Sequence, residues 1–438
     1  MTNHKDTIGE KIPTVSRVAG DTLVELVYDR AKRKTGLIVS RFGGLWNLEA
    51  ELALGSGELL VPYSATNNLI AKEYVLLPTS PVEYGFKNEL IADICAYIHR
   101  YVDLSPRFER IAAYYVLLTW VHDAFEEVPY LRLKGDYGTG KTRALMVIGS
   151  LCYKSFFASG ASTVSPIFHI LDTFGGTLVL DEADLPFSDA KAELVKILNN
   201  GTVAGMPVLR TLQNRYKEFN PYAFKVFGPK IVATRERFDD HALESRFLTE
   251  ETGLREVRRD VPIHLPPEFK QEALALRNRL LHFRLCEFFK VKVDPSALVP
   301  GVSPRLNQIA LPLLSIIDDA DVKDDIKRML HEQHTAELME RRESILGALL
   351  ASVVTVAMQR RQGTVSIRDV AAQFNVDHCA DFGGPVSNRW VGHMLRTRLD
   401  VKTRKSKGIY ILCEDEPKRL LAIAMRFGIE APDFGHTN

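Results

Sequence analysis

Eight consecutive residues, Gly135-Asp136-Tyr137-Gly138-Thr139-Gly140-Lys141-Thr142, carry the clearest chemistry in the chain. They match G-x-x-x-x-G-K-[ST], and each fixed residue answers a need of phosphate binding. Gly138 and Gly140 let the backbone wrap an anion, while successive N–H groups and the following helix N-terminus present partial positive charge. Lys141 adds a full charge, and the Thr142 hydroxyl suits Mg²⁺. Asp136, Tyr137 and Thr139 complete the loop, and Arg143 follows on the helix. Further on, Thr177-Leu-Val-Leu-Asp181-Glu182 reads as an apolar strand ending in two acids. Asp181 is placed to join a magnesium shell and Glu182 to polarise an attacking water. Together the motifs imply ATP and Mg²⁺, and the second acid points to hydrolysis over passive binding.

A phosphate loop needs a strand before it and a helix after it. Residues 130–133 read as that strand, and further strands are expected at 155–159, 177–180, 230–234 and 261–265, with helices between them. Such alternation implies an α/β fold, a parallel sheet with helices on both faces. Ahead of it, residues 20–85 alternate as strands and hairpins, so 1–86 is expected to be a small β-rich domain. The ATPase domain then spans 87–325, opened by two helices, the second starting at Ser105-Pro106, and closed by a helical lid from about 267 to 317. The last region, 326–438, reads as a long helix over 338–361, two more helices and a hairpin with a basic tip. That is the outline of a winged helix.

Composition bounds the rest. With 46% apolar and 25% charged residues, 438 residues can bury two or three cores. The chain holds 56 basic against 55 acidic residues, so charge is informative only locally. Residues 387–410 hold seven Lys or Arg and a single acid, Asp400. In a winged helix, Arg389, Arg396 and Arg398 ride the third helix and Arg404, Lys405 and Lys407 the wing, where they suit the phosphates of duplex DNA. The five cysteines are widely spaced, which suits reduced thiols and offers no metal framework. Residues 111–121 are the longest apolar run, far short of the roughly 20 needed to span a bilayer. Without a secretory leader at Met1, a cytoplasmic location is expected.

Residues 98–314 resemble the AAA+ ATPases of mobile elements and phages, namely the MCM-like, self-loading helicases of staphylococcal cassettes and the helicase halves of phage primase-helicases. Besides the two motifs above, the resemblance rests on Asn200-Gly-Thr-Val-Ala-Gly-Met-Pro-Val-Leu-Arg210, Phe227-Gly-Pro-Lys-Ile-Val-Ala-Thr234 and Leu243-Glu-Ser-Arg-Phe247. It implies a sensor-1 role for Thr234, although asparagine is commoner there, and a finger role for Arg246, reaching into a neighbouring subunit. Arg305 becomes a candidate second sensor in the lid. It also implies a hairpin around 214–217 in a central pore, with Arg215, Tyr216 and Lys217 gripping single-stranded DNA. Residues 181–184 spell Asp-Glu-Ala-Asp, but no second RecA-like lobe, Ser-Ala-Thr or His-Arg-x-Gly-Arg block follows, so the DEAD-box reading is set aside.

The resulting expectation is a homo-oligomeric, hexameric ring that uses ATP to translocate on DNA in the replication of a mobile element or phage, with a primase or polymerase as a further partner. The alternatives are a helicase loader or initiator, and a nucleotide-controlled switch.

Overall fold

The alternating text at 20–85, with the residues just ahead of it, folds as seven short strands. They are β1 (Lys11–Thr14), β2 (Ser16–Ala19), β3 (Thr22–Asp29), β4 (Lys34–Arg41), β5 (Leu45–Glu49), β6 (Leu52–Ala53) and β7 (Leu59–Pro62), followed by a short helix, α1 (Asn68–Ala71). In this computed structural model residues 10–41, 44–160, 162–183, 189–213, 217–360, 364–413 and 415–430 are described. Four strands form an antiparallel sheet in the order β2-β3-β4-β5, and the other three pair as β1-β7-β6. β3 is buried along nearly its whole length although Glu25 lies in its middle. A strand covered on both faces leaves no solvent for such a group, so it must be paired within the protein.

Two helices lead into the second sheet, α2 (Lys87–Tyr101) and α3 (Pro106–Val121). The α3 start follows from chemistry visible in the text: the Ser105 hydroxyl accepts from Phe108 N at 3.1 Å, and Pro106 occupies the first position, where no N–H is needed. There follow β8 (Tyr130–Lys134), α4 (Lys141–Gly149), β9 (Phe156–Ser159), α5 (Val164–Phe174), β10 (Leu178–Asp181), α6 (Asp189–Asn200), β11 (Val208–Gln213), β12 (Phe219–Phe224), β13 (Lys230–Thr234), α7 (His241–Glu244), β14 (Phe247–Glu251), α8 (Glu268–Glu287) and α9 (Pro304–Ile316). Five of the strands build an all-parallel sheet in the order β14-β8-β13-β10-β9. The expected α/β fold is therefore present.

One strand expectation fails. Residues 261–265 form no strand, and the fifth strand is β14, which pairs with β8 from Phe247↔Tyr130 to Glu251↔Lys134. The physical reason is proline: Pro262, Pro266 and Pro267 remove ladder donors from the more apolar segment. The polar Phe-Leu-Thr-Glu-Glu run keeps all of its donors.

The chain divides into two compact units, residues 1–329 and 330–438. In the second, the single helix expected over 338–361 is two, α10 (Ala320–Glu343), which begins in the first unit, and α11 (Ile345–Gln359). Ser344 separates them and caps the second by accepting from Gly347 N at 3.1 Å. There follow α12 (Ile367–His378), α13 (Asn388–Leu399), β15 (Thr403–Ser406), β16 (Ile409–Leu412) and α14 (Glu416–Arg426). The apolar faces of α11, α12 and α13 share one core, centred on Leu349, Val353, Phe374 and Leu395. Among the described residues, no single helix is long and apolar enough to cross a membrane.

Candidate functional site

β8 passes directly into loop 135–140, and α4 begins at Lys141. Gly138 at φ 72° and Gly140 at φ 86° take the left-handed region, with nothing within 4 Å of where a Cβ would lie. They supply backbone freedom, not room. Gly135 supplies room: a Cβ there would meet the Thr252 hydroxyl at 2.4 Å. Thr252 follows β14, and its hydroxyl pairs with that of Thr139 at 2.8 Å, so the adjacent strand buttresses the loop.

Lys141 Nζ donates to the carbonyls of Gly135 at 2.7 Å and Asp136 at 2.6 Å. The Thr142 hydroxyl donates to Asp181 Oδ2 at 2.7 Å, while Asp181 Oδ1 accepts from Glu182 N at 3.0 Å. Two motifs distant in sequence thus meet because β10 and β8 are separated only by β13 in the sheet. Glu182 has φ 53°, left-handed for a residue with a Cβ, which costs on the order of 1–3 kcal/mol. That turn leaves the Glu182 carboxyl exposed at the mouth of the site.

These groups line one cleft of about 340 Å³, together with Tyr137, Gly138, Thr139, Gly140, Arg143, Thr234 and Arg235. Thr234 is 1% exposed, and its hydroxyl has no hydrogen-bond partner among the described residues. Arg143 is drawn away from the mouth, donating to the carbonyls of Pro262 at 3.0 Å and Ile263. Hard oxygen ligands from Thr142 and Asp181, an ammonium and the N-terminus of α4 converge here. This donor set fits a magnesium-bound polyphosphate.

Arg246 is elsewhere. It precedes β14, whose first residue is in register with the first residue of β8, whereas the loop follows the last. Four residues at about 3.3 Å each separate the two ends of the strand, so Arg246 lies ~13 Å or more from its own cleft, at the opposite end of the strands. There it donates to Asn199 Oδ1 and to the Leu198 carbonyl at 3.3 Å, and its Nε has no partner among the described residues. Burial, and then the neighbouring Arg305, hold its pKa below the ordinary arginine value. Arg305 donates to the Ala242 carbonyl at 2.6 Å, so both arginines belong to this end and neither lines the cleft. This end is braced by Arg132, buried in β8, which clasps the Glu244 carboxylate through both terminal nitrogens, one at 2.7 Å.

No family model matches the chain, and no curated protein matches it. Among solved structures it is similar to the apo NrS-1 C-terminal region (305–718), with 13% identity, 89% of this chain and 96% of that one covered, and a TM-score of 0.39. It is also similar to the JCV helicase with a bound inhibitor, with 16% identity, coverage of 59% and 64%, and a TM-score of 0.26. A third is Cdc6p from Pyrobaculum aerophilum, with 12% identity, coverage of 74% and 94%, and a TM-score of 0.23. At such TM-scores none of these likenesses bears on the chemistry of the cleft.

The expected hairpin at 207–228 forms. β11 and β12 pair from Val208↔Phe224 to Gln213↔Phe219. Arg215 and Tyr216 lie outside the described residues; Lys217 has φ 65° and is exposed. Beside it Phe219 is 70% exposed, and Tyr222 anchors the hairpin base by donating to Asp172 at 2.8 Å. In the second unit Arg389, Arg396 and Arg398 are exposed on α13. Arg404, Lys405 and Lys407 are exposed on a hairpin whose two-residue turn, Lys407-Gly408, has φ 47° and 84°, the geometry of a type I′ turn. Arg389, Arg398, Lys405 and Lys407 make no ion pair among the described residues.

Sequence reasoning missed two features. Arg235 lies one residue past the end of β13, and its guanidinium sits 3.7 Å from the ring centre of Tyr137. Extending the strand-end reading by one residue would have found it. Lys230, at the start of β13, is fully buried and donates to the carbonyls of Val226 and Gly228, each at 2.9 Å. Nothing in an apolar strand announces that burial.

Proposed function

We propose that this chain is a Mg-ATP-dependent ATPase that assembles as a homo-oligomeric ring and translocates on or unwinds DNA, in the replication of a mobile element or phage. The observation that carries the nucleotide reading is the 2.7 Å contact between Thr142 and Asp181, with Lys141, Glu182 and Thr234 around the same cleft. Bound magnesium nucleotide would supply the phosphoryl centre, with its charge spread over phosphate oxygens. Lys141 and the loop N–H groups would bind that charge, and Thr142 and Asp181 would hold the metal. Glu182, exposed at the mouth, orients the attacking water and takes its proton at the carboxylate.

The position of Arg246 supports oligomeric action. It cannot reach the cleft of its own chain, yet it lies half-buried at the opposite end of the strands, its Nε without a partner among the described residues. In a ring that end faces a neighbour's cleft, where a guanidinium would stabilise the transferring phosphoryl group. DNA handling is supported by the exposed hairpin carrying Lys217 and Phe219, and by the exposed cations of α13 and the β15–β16 hairpin. We read the latter as a winged helix on duplex DNA.

ATP hydrolysis and forked-duplex unwinding by the parent, Glu182→Gln and Lys217→Ala test this reading. DNA-stimulated hydrolysis and unwinding are expected in the parent. Glu182→Gln should keep nucleotide binding and lose about 10²–10⁴-fold in hydrolysis. Lys217→Ala should keep basal hydrolysis and lose unwinding. Hydrolysis without unwinding in the parent would favour a loader, and no nucleotide binding would end the reading.

A further inference from the structure

Cations and an aromatic ring meet on one surface of the second unit. On α13, Arg389, His393 and Arg396 are exposed and spaced i, i+4 and i+7, so they share one face of the helix. The Arg396 guanidinium stands 5.9 Å from the ring centre of Tyr410 on β16. Across the hairpin, Lys405 is directly opposite Tyr410 in the register, hence on the same face of the ribbon, and is exposed. Lys407 follows in the tight turn at the tip.

Tyr410 is itself 51% exposed, and Ile409 beside it 40%. Elsewhere the unit packs its rings together: Trp390, on the same helix as Arg396, lies 5.8 Å from Phe374 and 5.6 Å from Phe382 between ring centres. Tyr410 stands apart from that cluster, among exposed cations. The cations suit phosphates, which run along any duplex. The ring needs a different partner. Inside a continuous duplex each base pair is stacked on both sides, and the grooves present only base edges. A base face becomes available where the stack ends, and stacking on it is sequence-tolerant.

We infer that this surface binds the open end of a DNA duplex, with Tyr410 stacked on the terminal base pair and Arg396, Lys405 and Lys407 holding the phosphates next to it. The inference rests on the DNA reading of α13 and the β15–β16 hairpin, and narrows it from duplex in general to the place where a duplex ends. Charge then supplies attachment, and the ring supplies the distinction between an end and an interior.

Fluorescence anisotropy on the full chain tests it, with a short blunt duplex as the labelled probe and a relaxed circular duplex, which has no end, as the competitor. The parent should favour the blunt duplex, base pair for base pair. Tyr410→Leu should weaken binding of the blunt duplex about 5- to 150-fold, the worth of one stacked base, and leave the circle within about twofold. Tyr410→Phe keeps the ring and should behave like the parent. Lys405→Ala should weaken both substrates and flatten the salt dependence of each. A 2-aminopurine in the terminal base pair should be quenched by the parent and by Tyr410→Phe, but not by Tyr410→Leu. Equal weakening of both substrates by Tyr410→Leu, or of neither, overturns the inference while leaving duplex binding standing. A parent that binds neither substrate removes the DNA reading beneath it. Retained binding of the circle reports that Tyr410→Leu is folded.

Discussion

Replacing Glu25 should be among the most damaging single changes in the first unit, although it lies in the N-terminal sheet and not in the cleft. The carboxylate is 1% exposed and accepts from Tyr153 at 2.9 Å and from Ser16 at 2.6 Å, while facing Lys154 and Arg284 at 2.8 Å each. Lys154 precedes β9 and Arg284 lies on α8, so this one group ties the N-terminal sheet to two elements of the parallel-sheet region. In Glu25→Leu, Arg284 keeps the Asp123 carboxylate at 2.6 and 2.8 Å. Lys154, 1% exposed, keeps among the described residues only the Val15 carbonyl at 3.0 Å and the Tyr153 side chain. An uncompensated buried charge costs about 3–5 kcal/mol. At roughly 2 °C per kcal/mol for a unit of this size, a Tm fall of about 6–10 °C follows. Calorimetric or fluorescence melting of Glu25→Leu and of Glu25→Leu/Lys154→Met is the assay, and the double variant should recover much of the loss because the orphaned ammonium is gone. A single variant within 1 °C of the parent, or a double variant no better than the single one, would refute this account.

The same carboxyl predicts acid lability. Burial pushes Glu25 up, but Lys154 and Arg284 outweigh it and hold it below its ordinary 4.5. A depressed folded value means that its stabilisation is complete above about pH 4.5 and is lost as pH falls further, a slope that Glu25→Leu should flatten. At the other end of the scale, burial and then Arg246 lower Lys230 from 10.5 to about 7. The unfolded chain then binds the extra proton between those values, so the parent should gain stability relative to Lys230→Met as pH rises from 7 towards 10.5. A pH-independent difference in Tm would contradict that. Arg246→Ala should bind nucleotide like the parent yet lose about 10³–10⁵-fold in hydrolysis; in mixtures with Lys141→Ala, activity should reappear, since one chain offers an intact cleft and the other an intact arginine. Failure of such mixtures to regain activity would place the arginine outside the reaction. Finally, Arg389→Ala/Arg398→Ala should lower the slope of log affinity for duplex DNA against log salt by about 0.9 per removed contact, and an unchanged slope would remove α13 from the DNA interface.

Much of the site was readable before any fold was known, because its chemistry is carried by contiguous residues. Gly135 to Thr142 make a glycine turn into a helix start whatever surrounds them, and an apolar strand ending in Asp181-Glu182 delivers two carboxylates to the C-terminal end of the strands. Short-range rules also placed the Ser105-Pro106 helix start, the β3–β4 hairpin and the two strands flanking Lys217. What failed locally was the reading of apolarity as strand at 261–265, where prolines deny the ladder its donors and polar β14 takes the sheet edge.

Partnerships between distant residues could be decided only in three dimensions. The sheet order brings Thr142 onto Asp181 and slots β13 between the two motif strands so that Arg235 meets Tyr137, while the parallel register of β14 on β8 holds Arg246, with Arg305, at the opposite end of the strands. Glu25, Lys154 and Arg284 are unremarkable charges along the chain, yet tertiary burial makes each of them depend on the others. Sequence dictates which groups exist and what local turns they tolerate, whereas charge pairing follows distance and desolvation, and these come into being only when separate segments pack.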